Sequence, residues 1–340
     1  MFLDILNRVR FCITMANTRL TIVVPCYNEE EVLPKSSTVL ANILHEMIDN
    51  GQISKDSQIL FVDDGSKDKT WEIIHNLEEK NHCFSGIRFS RNFGHQNALV
   101  AGMTTAYKYS DAVITIDSDL QDDPHLIPEM VAKYQEGNDV VFAVRNDRST
   151  DSAFKRDTAE MFYKIMGKLG VDMVPDHADY RLLSHRALGE LLKFSEHDPF
   201  LRGLVPQLGF PSTKLYYKRA PRAAGESKYP LKKMVKFALD GITSNSVTPL
   251  KALAVIGTGI TAIGGIIGIV DLVKLFLGYD ETLLNGLMIS MWILGGINLT
   301  GLGIVGTYVG KVFTEAKHRP RYIIQEDDYT PQFSHNEKNN

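Results

Sequence analysis

The sequence predicts an α/β unit on a mostly parallel sheet, followed by an interfacial amphipathic region and a two-helix transmembrane hairpin. Three observations lead there. Strand-like and helix-like stretches alternate from Leu20 to about Ala143, polar clusters follow the strand-like runs, and two long uncharged stretches lie between residues 252 and 310.

The alternation comes first. "LTIVVPCYN", "QILFVDDGS", "FSGIRFS", "AVITIDSD" and "DVVFAVR" are short, rich in β-branched or aromatic residues, and end in polar or turn residues. Between them, "EEVLPKSSTVLANILHEMI" and "KTWEIIHNLEEK" have helical spacing. Repeated strand–helix–strand order implies a parallel sheet covered on both faces. Ligands of such sheets bind beyond the carboxyl ends of the strands. The clusters "CYNEE", "DDGSKD", "RNFGHQN" and "DSDLQDD" are expected along that one edge.

The uncharged stretches are Ala252–Val270, with 19 residues, and Thr282–Gly310, with 29. Both are long enough to cross about 30 Å of hydrocarbon. Ahead of them, Lys214–Lys236 carries eight Lys or Arg against one acid, Glu226. Leu231, Met234, Val235, Ala238 and Ile242 form one helical stripe beside Lys232, Lys233 and Lys236, the pattern of a helix lying in a membrane interface. Basic flanks at Lys251, Lys311, Lys317, Arg319 and Arg321 place both termini and the α/β unit on the cytoplasmic side. The expected order is an N-terminal extension over residues 1–19, the α/β unit over 20–227 and the interfacial region over 228–251. Two membrane helices follow over 252–310 (about 252–275 and 284–310), then a cytosolic tail over 311–340.

Composition adds limits. A chain of 340 residues exceeds one ordinary core. The net charge of −4 conceals strong local asymmetry, and no nucleic-acid partner is expected. Cys12, Cys26 and Cys83 have neither disulfide-framework nor zinc-site spacing and read as reduced thiols. The first 20 residues lack a long apolar core and do not read as a signal peptide.

In "ITIDSDLQDDP", Asp117, Asp119, Asp122 and Asp123 fall within seven positions. Such crowding demands water or a cation. Asp117 and Asp119, alternating at the end of a strand, suit a hard divalent ion, Mg²⁺ or Mn²⁺, and Gln121 extends the alternation with an amide oxygen. Asp122 and Asp123 precede Pro124 and are alternative helix caps.

The ordered set "VVPCYNEE", "VDDGSKDKT", "RNFGHQNALVAGM", "DSDLQDDP", "ADYRLLS" and "GESKYP", with two membrane helices after it, resembles the polyprenyl-phosphate glycosyltransferases of glycosyltransferase family 2. Bactoprenol glucosyltransferases and dolichol-phosphate mannose synthases belong to that group, which has the GT-A (Rossmann-like) fold. The resemblance runs from about Leu20 to Arg321. It implies that Pro25, Tyr27, Glu29 and Asp64 hold the base and ribose of a nucleotide sugar, and that Asp117, Ser118 and Asp119, with Gln121, form the metal and diphosphate site. It also matches Asp179 to the family's catalytic base. The acceptor would be a lipid phosphate whose second pKa is about 6, so Asp179 has little proton to remove and orienting the acceptor is the competing role. Arg145, Arg148, Lys155, Arg156 and Arg202 are candidate phosphate receivers, and Ser227 and Lys228 in "GESKYP" a mobile link to the membrane.

The implied reaction is inverting transfer of a hexose from a nucleotide sugar, UDP-glucose foremost, to undecaprenyl phosphate at the cytoplasmic membrane face. UDP-N-acetylglucosamine and GDP-mannose are alternative donors. A processive polysaccharide synthase is the other reading, but the chain lacks a Q-x-x-R-W motif. A homo-oligomer is expected from the glycine-rich membrane helices.

Overall fold

The computed structural model describes residues 18–146, 177–218, 248–277 and 283–330. The expected sites Arg148, Lys155, Arg156, Ser227 and Lys228 lie outside the described residues, as does the interfacial helix around Lys232. The chain divides into two compact units. One contains the described residues up to Lys218 together with Pro320 onward; the other contains the two long helices up to Arg319.

The first unit is an eight-stranded sheet: β1 (Leu20–Cys26), β2 (Gln58–Asp63), β3 (Phe84–Phe89), β4 (Ala112–Thr115), β5 (Val140–Arg145), β6 (His177–Ser184), β7 (Ser212–Tyr217) and β8 (Ile324–Asp327). Their spatial order is β7-β5-β6-β4-β1-β2-β3-β8. The centre, β4-β1-β2-β3, is parallel, as the alternation predicts. Beyond it two strands, β6 and β8, depart from that direction. β6 runs antiparallel to both β4 and β5, β8 is antiparallel to β3, and only β5–β7 returns to parallel pairing. The sheet is mixed because β6 and β8 enter its ladder from the opposite direction.

Every residue of β1 and β2 is buried, which explains their unbroken apolar runs: each face is covered by helices. Leu20, Ile22, Val24 and Cys26 of β1 join the core beneath α1 (Leu33–Asp49), α2 (Thr70–Lys80) and α4 (Ile127–Gln135). Val23, facing the other way, joins the core of α3 (His95–Tyr107), α5 (His185–Leu191) and α6 (Leu201–Gln207). The 2.0-residue period of a strand separates these two cores. At Gly102 on α3 an added Cβ would lie 2.3 Å from a Val23 methyl, so the helix approaches the sheet as only glycine permits.

The segment after residue 310, expected as a tail, instead returns to the sheet. β8 pairs with β3, and Tyr329, fully buried, places its hydroxyl 2.8 Å from Thr21 and 3.4 Å from Ser110. Four residues with one alternating apolar position were too short a signal to read as a strand.

The second unit consists of α7 (Thr248–Phe276) and α8 (Leu283–Ala316), with 29 and 34 residues. Val255, Ile263, Ile269, Leu287, Leu299 and Leu302 are all exposed on them. Gly301 of α8 faces Leu253 of α7, where an added Cβ would meet the leucine methyl at 3.4 Å. By length and composition one described stretch, Ile293–Ala316, can cross a membrane, while the apolar part of α7, Thr248–Gly264, is shorter. The expected pair of spans thus reduces to one qualifying span among the described residues.

Candidate active site

The carboxyl ends of β1, β2, β3 and β4 bring their loops to one edge. The β1 and β2 loops are stitched together. The Asn28 N–H donates to Ser66 Oγ at 2.9 Å and the Lys67 N–H returns a bond to Asn28 Oδ1 at 2.9 Å. The Glu29 N–H donates to Thr70 Oγ1, the Glu30 N–H to Asp68, and the Lys69 N–H to Glu30. Asn28 takes a left-handed φ of 54°, which asparagine tolerates. Pro25 is buried as part of β1, while Tyr27 is exposed at the mouth of the edge. Asp68 accepts the N–H and hydroxyl of Thr70, where α2 begins.

Asp64 follows β2 and is buried. Its two oxygens accept from the N–H groups of Phe93, at 2.6 Å, and Gly94, at 2.9 Å. Burial pushes its carboxyl up to about 6, against the pull of those two bonds. Asp64 therefore shapes the β3–α3 loop, and each of its oxygens keeps a further lone pair. Gly65 beside it has φ 65°, and a Cβ there would overlap the Arg91 backbone at 2.4 Å.

Asp117 and Asp119 follow β4. Partial burial raises the Asp117 carboxyl; His95 opposes that shift, and Asp122, Asp179 and Asp119 reinforce it. Asp119 accepts the Gln121 N–H at 3.1 Å, so the loop turns back on itself between them. Ser118 and Gln121 are both buried. These hard oxygens at one strand end, mutually repelling, fit a divalent cation of the Mg²⁺ or Mn²⁺ type.

Asp179 enters from β6, 5% exposed, with its backbone carbonyl held by the Thr115 hydroxyl at 2.5 Å. Its side chain collects cations. Arg181 lies at 2.5 Å, Arg202 at 3.1 Å, and Gln96 Nε2 donates at 3.1 Å. His95 Nε2 stands 3.6 Å from Asp179 and 3.6 Å from Asp117, bridging the two acids. Burial alone would raise the Asp179 carboxyl, but Arg202, His95 and Arg181 outweigh it and hold it well below the usual range. A carboxylate so stabilised is a poor proton acceptor.

Two phosphate candidates are already engaged. Arg145 sits 3.0 Å from Asp122, whose carboxylate also accepts the Tyr217 hydroxyl at 2.5 Å. Asp122, 1% exposed, is held there through Arg145 Nε and Nη2. Asp123 is the acid that caps, accepting the His125 N–H at 3.0 Å. Arg202 does reach the site, through Asp179. His95 and Gln96 were not singled out from sequence, although both lie in the polar cluster "RNFGHQN". Their position at the start of α3, pointing toward a strand two places away, was the missing information.

A mixed α/β sheet with a paired-aspartate loop at the end of β4 is a GT-A-like arrangement. The family model described as "Glycosyl transferase family 2" matches residues 21–192, and the chain belongs to that family. It is 46% identical over 315 residues to the uncharacterized glycosyltransferase YkoT of Bacillus subtilis, covering 93% of this chain and 94% of that one. It is 37% identical over 315 residues to the bactoprenol glucosyl transferase of Shigella phage SfV, covering 91% and 99%. Among solved structures, glucosyl-3-phosphoglycerate synthase of Mycobacterium tuberculosis aligns with TM-score 0.48 and 16% identity over 68% of this chain and 80% of that one. At that score the likeness carries nothing further about this chain.

Proposed function

We propose that this protein transfers a hexose, glucose foremost, from a UDP-sugar to a polyprenyl phosphate such as undecaprenyl phosphate, with inversion. The observation that carries this reading is the 37% identity to a bactoprenol glucosyl transferase over nearly the whole of both chains. The site is compatible with it. Pro25, Tyr27, Glu29 and Asp64 line the nucleotide edge, and Asp117, Ser118 and Asp119, with Gln121, would hold a Mg²⁺ or Mn²⁺ ion. When bound, such an ion supplies a Lewis acid that neutralises the departing nucleoside diphosphate.

The chain's own residues do the positioning. The lipid phosphate is largely dianionic near neutral pH, with a second pKa of about 6, and attacks without needing a strong base. Asp179, fixed by Arg181 and Arg202, keeps those guanidiniums in register at the reaction edge. Arg202, 29% exposed on its outer side, is the cation able to turn toward an incoming phosphate. His95 ties the metal-side acid to Asp179, so donor and acceptor halves share one rigid linkage. Arg148, Lys155, Arg156, Ser227 and Lys228 are assigned to the acceptor by their place in the sequence.

The exposed apolar surface of α7 and α8 supports a membrane hairpin with the α/β unit on the cytoplasmic side. The assignment is tested by incubating membranes containing the protein with labelled UDP-glucose, UDP-N-acetylglucosamine or GDP-mannose and undecaprenyl phosphate. A chloroform-soluble, singly glycosylated lipid from UDP-glucose is the expected product. Another sugar in the lipid changes the donor, and a long water-insoluble polymer points instead to a processive synthase.

A further inference from the structure

A cleft lies beside the β3–α3 loop. It has a volume of about 260 Å³ and is lined by Arg91, Asn92 and Phe93, by His197 and Asp198 ahead of α6, and by Pro320 and Arg321. None of Asp64, Asp117, Asp119 or Asp179 lines it. The same loop is held by Asp64, which accepts the N–H groups of Phe93 and Gly94.

The charges of this cleft are unusual in their partners. Arg91 lies flat over the Phe93 ring, 3.9 Å from its centroid, and donates to the Asn92 carbonyl at 3.0 Å. Arg321 donates to the Phe194 carbonyl. Among the described residues neither guanidinium has a carboxylate within ion-pair distance, whereas His197 stands 3.4 Å from Asp198, the one acid in the lining. Carbonyls and a ring fix each arginine in place while leaving most of its five N–H donors unused. Two pre-positioned, uncompensated forks fit phosphate oxygens in geometry and charge.

The place of Arg321 along the chain narrows the ligand. It follows Ala316, the last residue of α8, by five positions, a reach of at most about 18 Å. Lys317 and Arg319 add charge in between. A basic cleft so close in sequence to an apolar helix end is suited to lipid headgroups.

We propose that Arg91 and Arg321 form a phosphate site for the headgroup of an anionic phospholipid, distinct from the donor and acceptor sites of sugar transfer. It links a loop shaped by Asp64 to the chain leaving the apolar helix, so a bound headgroup would brace the nucleotide edge against the membrane. The inference draws on the membrane attachment proposed above but not on the identity of the sugar or prenol.

The test uses the full chain in a zwitterionic detergent, with thermal melting as the readout. Titrants are dihexanoyl-phosphatidylglycerol, dihexanoyl-phosphatidylcholine and inorganic phosphate, each at matched ionic strength. Phosphatidylglycerol should raise the melting temperature saturably and phosphatidylcholine should not. In the R91Q/R321Q double variant the concentration needed should rise at least tenfold, while stabilisation by UDP stays as in the wild type. R91K/R321K, which retains charge but not the forks, should fall between. Equal stabilisation by inorganic phosphate, with nothing added by the lipid, would overturn the lipid assignment. An unchanged phosphatidylglycerol response in R91Q/R321Q overturns the site itself. Loss of UDP stabilisation in that variant shows that the arginines belong to the nucleotide edge and overturns the proposal equally. Because lipid and UDP responses are read separately, failure of the proposed sugar transfer leaves this result interpretable.

Discussion

Glu326 on β8 lies 3.2 Å from Arg88 on β3, although 238 residues separate them in sequence. Arg88 continues inward to Asp63, 3.5 Å away and fully buried. Asp63 in turn accepts the Ser66 N–H at 3.0 Å, and Ser66 holds Asn28 in the nucleotide loop. The last strand among the described residues is therefore connected to the loop after β1, which we assign to the donor. Replacing Glu326 by Gln removes the charge that steadies Arg88. The pair is partly exposed, so the stability change should stay below about 1 kcal/mol. Donor KM should rise several-fold with kcat nearly unchanged, as steady-state kinetics would show. A normal KM would mean that β8 docking and donor binding are independent.

Tyr329 anchors the same segment. Its hydroxyl meets Thr21 and Ser110, which also bond each other at 2.6 Å. Tyr329→Phe leaves those two partly satisfied, so the loss should be about 1 kcal/mol of stability, read as a lower denaturation midpoint. A loss of several kcal/mol would show that the phenol does more than close this cluster.

The sequence revealed most readily what depends on local period. β1, β2 and β4 are nearly continuous apolar runs because they are covered on both faces, and the polar residues after the parallel strands fall at one edge because those strands end together. The antiparallel entry of β6 was illegible, since "HADYRLLS" reads the same in either direction. β8 was illegible because four residues carry almost no period. In the site, Asp64, Asp117 and Asp119 follow the carboxyl ends of β2 and β4 and could be found by that rule, whereas Asp179 lies inside the antiparallel β6 and came only from the family resemblance. The engagement of Arg145 by Asp122 could not, because β5 reaches the β4 loop only through the mixed part of the sheet. His95 was missed for the same reason: a helix start gives no hint of which strand end it faces.

Asp64 gives the site a pH dependence of definite sign. Burial raises its folded carboxyl to about 6, above the unfolded value of about 4. Its contribution to stability is thus fully present below about pH 4 and is lost as the pH rises through about 6. Nucleotide binding should run the opposite way, because accepting a base N–H favours the anion. UDP affinity should be flat above pH 7 and fall about tenfold per unit below about pH 6. Calorimetric titration between pH 5 and 7.5 checks this, and a flat profile would remove Asp64 from base recognition.

The paired aspartates predict dependence on a divalent ion. Asp119→Asn keeps the shape of the loop and its bond to the Gln121 N–H, but loses a negative charge. Transfer should drop about a hundredfold or more, since a Lewis acid supplies several kcal/mol to such a step. EDTA should abolish wild-type activity, and Mg²⁺ or Mn²⁺ should restore it. Full activity of the variant, with unchanged response to Mn²⁺, is the outcome that sinks the metal assignment.

Asp179→Asn separates the two roles open to that residue. Its carboxyl is held well below the ordinary range despite burial, by Arg202, His95 and Arg181. A group with a depressed folded pKa contributes stability above its unfolded value of about 4 and loses it only as the pH falls toward the folded value. Between pH 6 and 9 its charge is therefore constant, and so is whatever it does. If it positions Arg202 and Arg181, the variant's rate defect should be the same across that window. If it instead removed the last proton of the acceptor, raising the pH past about 6 would convert the phosphate to its dianion and restore the rate. Arg181, 2% exposed, would lose its buried partner, so the variant should also be less stable, by about 3–5 kcal/mol. Single-turnover transfer at 10 °C, with folding checked by circular dichroism, keeps the two effects apart. A pH-independent defect with intact UDP binding supports the orienting role, whereas recovery at pH 8–9 returns Asp179 to the position of a base.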